Sequence, residues 1–256
     1  GDMMARKGPV VFVLALFVVI SLSCTNPITS YFSTQTAVME TATATMWTPT
    51  PTFTPTNTPT DTPTNTPTFT PTPDFIYMDD FEDSSSGWPE FDEDIVMSEY
   101  TDGGYRILVK EPLYFVWSRP TPIKQYSDIR IEVEVKKIGG PDENSMGVMC
   151  RYKDNQNFYG FDITSRGQAL IYKYEGGEYV GLSADGYEDV QGIKPDDVNQ
   201  LAAVCSGDTL ELYVNGDLVA SATDSSFSKG QIALLAGNGD VAGADILFDN
   251  LYVFNA

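Results

Sequence analysis

From Thr48 to Thr72 every second residue is threonine, and eight prolines punctuate the run through Pro73. Proline fixes φ, removes a backbone donor and biases the preceding residue toward extended geometry, so neither helix nor sheet propagates through such a repeat. The unit is Thr-Pro-Thr-x, with Phe, Asn or Asp at x. It reads as a disordered, semi-rigid linker. At a polyproline-II rise of about 3.1 Å per residue it reaches roughly 80 Å when fully extended. The repeat divides the chain into a leader (1–23), a Thr/Pro-rich stalk (24–73) and a segment of single-domain size (74–256).

In the leader, Arg6 and Lys7 precede an apolar run from Val10 to Ile20, followed by Ser21-Leu22-Ser23-Cys24. A basic start, a short apolar stretch and a small residue before a cut describe a secretory signal peptide. The run is short for a membrane span, which takes roughly 18 apolar residues or more. Ser23-Cys24 resembles the lipobox of bacterial lipoproteins, although Ser21 stands where that pattern prefers Leu, Val or Ile. The resemblance implies that Cys24 is lipidated and becomes the mature N-terminus. The expected location is the cell surface, attached to the membrane through a lipid anchor. An ordinary cleaved signal and an uncleaved signal anchor are the alternatives.

The 256 residues include 36 acids, 15 bases and no histidine, for a formal charge of −21. A surface of that sign repels phosphates and argues against nucleic acid as a partner. Without histidine there is no Ser-His or Cys-His nucleophile pair and no imidazole metal ligand. Only three acids and two bases precede Asp74, so the domain itself carries about −20.

Strand signals recur along the domain, bounded by Gly, Asn, Asp and Pro, and helical signals are nearly missing. In Asp128–Lys137, Ile129, Ile131, Val133 and Val135 alternate with charged residues, so one face packs and the other is wet. Leu210, Leu212 and Val214 repeat the pattern and run into Asn215-Gly216, a hairpin signal because both turn positions need φ > 0. Nine further segments of this kind, among them Gly104–Val109, Phe158–Thr164 and Asp245–Phe254, predict an all-β, two-sheet antiparallel jelly-roll sandwich. Cys150 and Cys205 fall on inward positions of predicted strands, Cys150 between Val148 and Tyr152. Export to an oxidising compartment favours a disulfide between them, against the alternative of two buried thiols.

Several segments resemble concanavalin A-like lectin/glucanase domains: Asp79-Asp80-Phe81-Glu82-Asp83 with Ser86-Gly87-Trp88, Gly147–Tyr152, Asn157-Phe158-Tyr159, Leu210–Gly216 and Phe248-Asp249-Asn250-Leu251. Within that superfamily the chain is similar to laminin-G-like and 3-keto-disaccharide hydrolase-like domains on Thr-Pro-stalked bacterial lipoproteins. The resemblance implies a structural Ca²⁺ between the first and last strands, with Asp80, Glu82 and Asp249 as ligands. It also implies a sheet face whose aromatics stack on sugar rings. Strand parity assigns Arg151, Phe158, Asp162, Tyr172 and Tyr174 to that face, and leaves Trp117 open between face and core.

Glucanases of this fold take their catalytic carboxylates from one strand, spaced Glu-x-Asp-x-x-Glu. That spacing is missing here, and Glu132 and Glu134 fall on a solvent face. No catalytic residue is assigned. The reading is therefore a surface-anchored, carbohydrate-binding β-sandwich with a polysaccharide or glycan partner. A glycan-active hydrolase of the 3-keto-disaccharide type and a purely structural adhesion or spacer domain are the alternatives.

Overall fold

In Ile129–Gly139, Ile129, Ile131, Val133 and Val135 are at most 2% exposed, whereas Arg130, Glu132 and Glu134 are half-buried. The computed structural model describes residues 5–7, 75–101 and 103–256. The apolar run Val10–Ile20, Cys24 and the Thr-Pro repeat lie outside the described residues. Among the described residues there is no helix.

The strands, in chain order, begin with β1 (Ala5–Lys7), β2 (Phe75–Asp79), β3 (Phe91–Asp92), β4 (Val96–Thr101), β5 (Gly104–Val109) and β6 (Tyr114–Ser118). Next come β7 (Ile129–Gly139), β8 (Asn144–Asp154), β9 (Asn157–Thr164), β10 (Gln168–Glu175), β11 (Glu178–Gly181) and β12 (Glu188–Asp189). The last are β13 (Asn199–Ser206), β14 (Thr209–Val214), β15 (Asp217–Thr223), β16 (Gln231–Asn238) and β17 (Ala244–Asn255). The first sheet runs β1-β6-β16-β8-β9-β10-β11, with β12 beside β10; the second runs β15-β14-β13-β7-β17-β5-β4-β3, with β2 beside β17.

All of these pairings are antiparallel, as the expected jelly roll requires. Asn215 and Gly216 take φ of +52° and +93° and close the β14–β15 hairpin. Of the elements the sequence did not reveal, β4 buries Val96 and Ser98, and a buried serine weakens an apolar alternation. Strands β11 and β12 are four and two residues long, too short for a period to show.

The inner faces of both sheets meet in one core. Val148, Tyr159, Phe161 and Ile163 come from the first sheet, and Ile107, Leu212, Phe248 and Val253 from the second. Cys150 on β8 and Cys205 on β13 are joined across this core, with Cα atoms 6.8 Å apart.

One residue beyond Cys150 the expected alternation breaks. Against β16, three steps on β8 (Met149 to Tyr152) oppose two steps from Ala233 to Gln231, so β8 carries one extra residue. The strand bulges at Arg151, whose φ is +50°. A bulge reverses the parity of everything beyond it. Tyr152, expected inward, lies on the outer face of the sheet, and Arg151, expected on that face, turns into the protein and is 1% exposed. Its guanidinium donates to the carbonyls of Ser127, Gly207 and Phe227 at 2.8–3.1 Å and pairs with Asp128 at 3.1 Å. Arg151 is thus a clasp between loops.

The Cys150–Cys205 bridge closes a loop of 55 residues, which restricts the unfolded chain by about 4 kcal/mol in the entropy model. The double variant Cys150→Ala/Cys205→Ala is expected to lose stability of that order, read from urea denaturation, with a larger m-value because the unfolded chain is released from its cross-link.

Candidate functional site

The outer face of the first sheet is as well packed as its inner face. Trp117, Met149, Tyr152, Phe158, Leu170, Tyr172, Tyr174, Ala233 and Leu235 form a second buried cluster, with Phe115, Tyr179 and Ala184 packed against it. Phe158 stacks on Tyr174 with ring centroids 5.0 Å apart and on Tyr152 at 6.0 Å, and lies 6.0 Å from Trp117. Tyr179, from the segment after β10, closes on Tyr172 at 5.4 Å.

Phe158, Asp162, Tyr172 and Tyr174 therefore share one face, as parity predicted, and Arg151 does not join them. The exposure expected of them is corrected as well: the four are at most 5% exposed. The reason is local. Tyr179 on β11, the edge strand paired with β10, extends the aromatic layer sideways, and the chain after β11 brings Ala184 against it and the Tyr187 hydroxyl onto Asp162.

Trp117 belongs to this face. Phe115 and Trp117 alternate with inward Val116, so the β6 pattern carries the signal, but an all-apolar strand does not say which side is which. Tyr152 was missed because a bulge has no apolar signature. Tyr179 was missed because β11 is too short for a period to show, and Tyr187 because it sits on a connection without periodicity.

Cross-strand register aligns Trp117, Leu235, Gly147, Asp162 and Leu170 in a single row over five strands. Glycine at position 147 makes room for Asp162, since a Cβ there would stand 2.8 Å from Asp162 Oδ1. Gly160 in the next row does the same for the Tyr172 ring, which a Cβ would meet at 2.2 Å. Asp162 Oδ2 accepts hydrogen bonds from the hydroxyls of Tyr172 and Tyr187, each at 3.2 Å. Its Oδ1 lies over Gly147 and has no partner, and neither has Trp117 Nε1 further along the row; both atoms are buried. Burial raises the Asp162 carboxyl to about 7, against the lowering effect of the two tyrosines. At neutral pH it both donates and accepts.

The expected calcium ligands lie on the other sheet. Asp80 and Glu82 are exposed after β2, and half-buried Asp249 on β17 accepts from the Asn250 backbone N–H at 2.7 Å. Partial burial raises Asp249, and the charges of Glu134, Glu82 and Asp80 add to the rise. The neighbouring Asp79 is occupied by Trp88 Nε1 (2.9 Å), the Phe81 N–H (2.9 Å) and the Tyr77 hydroxyl (3.1 Å). Among the described residues no group of three or more His, Cys, Asp or Glu side chains is arranged to hold a metal ion.

Residues 85–253 match the 3-keto-alpha-glucoside-1,2-lyase-like domain. The chain belongs to that family. No curated protein matches it.

Among solved structures, this lyase-like domain is similar to the carbohydrate binding module CBM66 from Bacillus subtilis, at 21% identity and a TM-score of 0.54, covering 66% of this chain and 96% of the module. It is also similar to the Bacillus licheniformis beta-glucanase, at 14% identity and a TM-score of 0.53, covering 70% of this chain and 98% of the enzyme. These likenesses establish the concanavalin A-like jelly-roll fold.

The lyase-like domain carries a pH signature at Asp162. Its folded pKa is above the unfolded value near 3.8, so protonation stabilises the fold. Stability attributable to this group falls by about 1.4 kcal/mol per pH unit as pH rises from 4 to 7, and levels off above that. Asp162→Asn is expected to remove this increment from the difference between the two proteins' pH–stability curves, measured by urea denaturation.

Proposed function

We propose that the domain binds glycan on the outer face of its first sheet. The observation that carries the reading is the pair of buried, unpartnered polar atoms, Trp117 Nε1 and Asp162 Oδ1, in one row of an otherwise aromatic layer. Buried polar groups without partners are rare, because each costs about 1–3 kcal/mol when left unmade. A sugar supplies what they lack. Its C–H face stacks on rings while its hydroxyls accept from the indole N–H and exchange hydrogen bonds with the carboxyl. Access requires the connection after β11, which bears Ala184 and Tyr187, to lift. The structural relatives, a carbohydrate binding module and a glucanase, support the same class of partner.

A second reading, elimination, is favoured by the family's name and by a carboxyl held near neutrality. A carboxylate base takes the C2 proton, which an adjacent 3-keto group acidifies. The C–H electrons form the C1–C2 double bond, the C1–O bond breaks with its electron pair, and the leaving oxygen acquires a proton. On this reading Asp162 is the base, its carboxyl raised by burial within the aromatic layer.

Retention of the full-length protein on a panel of insoluble polysaccharides tests binding. Trp117→Phe, which keeps a ring and removes the N–H, is expected to weaken retention about 5- to 10-fold, one hydrogen bond's worth. Formation of a C1–C2 unsaturated keto-sugar together with reducing-sugar release from a 3-keto-disaccharide, both abolished in Asp162→Asn, would establish the lyase, since hydrolysis gives the release without the double bond. Retention without release leaves binding alone, and neither one removes the reading.

The proposal extends to placement. Acylation at Cys24, with the stalk as spacer, would present the domain about 80 Å from a membrane. Cys24→Ala is expected to move the protein from the membrane to the soluble fraction; a variant that stays membrane-bound would leave an uncleaved anchor instead.

A further inference from the structure

A cavity of about 260 Å³ opens between β2, the loop after β6 and the start of β16, lined among others by Tyr77, Pro122, Lys124, Tyr126, Gln231 and Ile232. This is below the roughly 300–1,000 Å³ of pockets that take drug-sized ligands, and suits one sugar ring and not a chain. Its walls combine apolar and aromatic surface with a few polar groups, the composition of a small-molecule site.

The cavity is built and rigid. Tyr126 is fixed by reciprocal backbone hydrogen bonds with Gly230, at 2.8 and 3.0 Å. Lys124 lies over the Tyr126 ring, its Nζ 5.2 Å from the centroid, and donates to the Ile76 carbonyl at 3.0 Å. Tyr126 is 7% exposed and lines the cavity beside Tyr77, whose hydroxyl donates to Asp79 at 3.1 Å.

The cavity is also continuous with the aromatic face. Gln231, on its wall, is the direct cross-strand partner of Tyr152, the residue that the bulge turns outward. Gln231 Oε1 accepts from Arg119 Nη1 at 2.6 Å, and the Arg119 guanidinium lies 4.6 Å over the Tyr152 ring. Tyr152 in turn packs against Trp117 and Phe158 at 6.2 and 6.0 Å.

We infer that this cavity is a subsite for a terminal neutral sugar residue of a glycan whose preceding residues lie on the outer face of the first sheet. The inference rests on the glycan-binding reading above. A neutral ring fits better than an acidic one: the domain carries about −20, and Lys124 is already engaged. The Tyr126 hydroxyl bonds a sugar hydroxyl, Gln231 supplies an amide, and Pro122 and Ile232 meet the ring's C–H surface.

The test uses full-length protein and an oligosaccharide ladder, from two to six residues, cut from whichever polysaccharide retains the wild type. Tyr126→Phe removes the hydroxyl alone, and Ile232→Trp fills the space. Both are expected to weaken binding of the longer oligosaccharides 5- to 10-fold while leaving the disaccharide unchanged, whereas Trp117→Phe weakens every length. Thermal melting checks that each variant folds, and Tyr126→Phe decides if Ile232→Trp does not. Cavity variants that bind every length as the wild type does would overturn the subsite and leave the face reading intact. A wild type retained by no polysaccharide in the panel would overturn both.

Discussion

A single inserted residue in β8 determines what each face of the first sheet presents. Side chains on a strand alternate strictly, so a bulge is the cheapest way to send two neighbours to opposite sides of their expected places. At Arg151 it places a charged group against three backbone carbonyls and a carboxylate. Beyond it, Tyr152 joins the outer aromatic layer and touches Trp117, Phe158 and Arg119. Without the inversion the arginine would interrupt the aromatic face, and the cavity beside Gln231 would lose its link to that face. Cys150, one residue earlier, ties the same strand to β13 and fixes the inner side just where the parity changes.

Two aspartates near this sheet show how surroundings set opposite ionisation. Asp224 is penalised by burial, but hydrogen bonds from Tyr159, Lys173 and Ser226 outweigh that and bring it to about 2. Its ion pair with Lys173 is part of a clasp that also holds Glu175 and Ser226. Tyr159 and Lys173 are on the inner parity of β9 and β10, so the clasp closes the sandwich on that side. Asp162, on the outer face, has two phenol donors and no cation among its hydrogen-bond partners, and burial raises it to about 7. Stability from Asp224 is present above the unfolded carboxylate range and lost as pH falls through about 2; stability from Asp162 runs the other way. The first is a structural charge. The second is suited to exchanging protons and hydrogen bonds with a ligand.

The outer face of the second sheet carries a row of charges. Arg130, Glu132 and Glu134 line its outward positions on β7, and Arg106 joins Glu99 and Asp245 across three strands at 2.7–2.8 Å. Half-exposed pairs of this kind contribute little to stability. The same outer face also carries Tyr213 beneath Arg130 and the aromatic group of Phe75, Tyr252 and Phe254, so it is mixed in character.

The alternation in β7, β14 and β9, the Asn215-Gly216 turn and the inward cysteines were all readable in the chain, because pleat parity and turn geometry are properties of neighbouring residues. By the same parity Phe158, Asp162, Tyr172 and Tyr174 were placed on one face. The covering of that face, the inward turn of Arg151, the recruitment of Tyr152, Tyr179 and Tyr187, and the alignment of Trp117 with Asp162 depend on contacts between strands distant in sequence. Local sequence fixes which side of a strand a residue occupies relative to its neighbours. Register, bulges and the path of a returning loop are settled only when strands pair, because their energies lie in hydrogen bonds and packing between segments that a linear reading does not bring together.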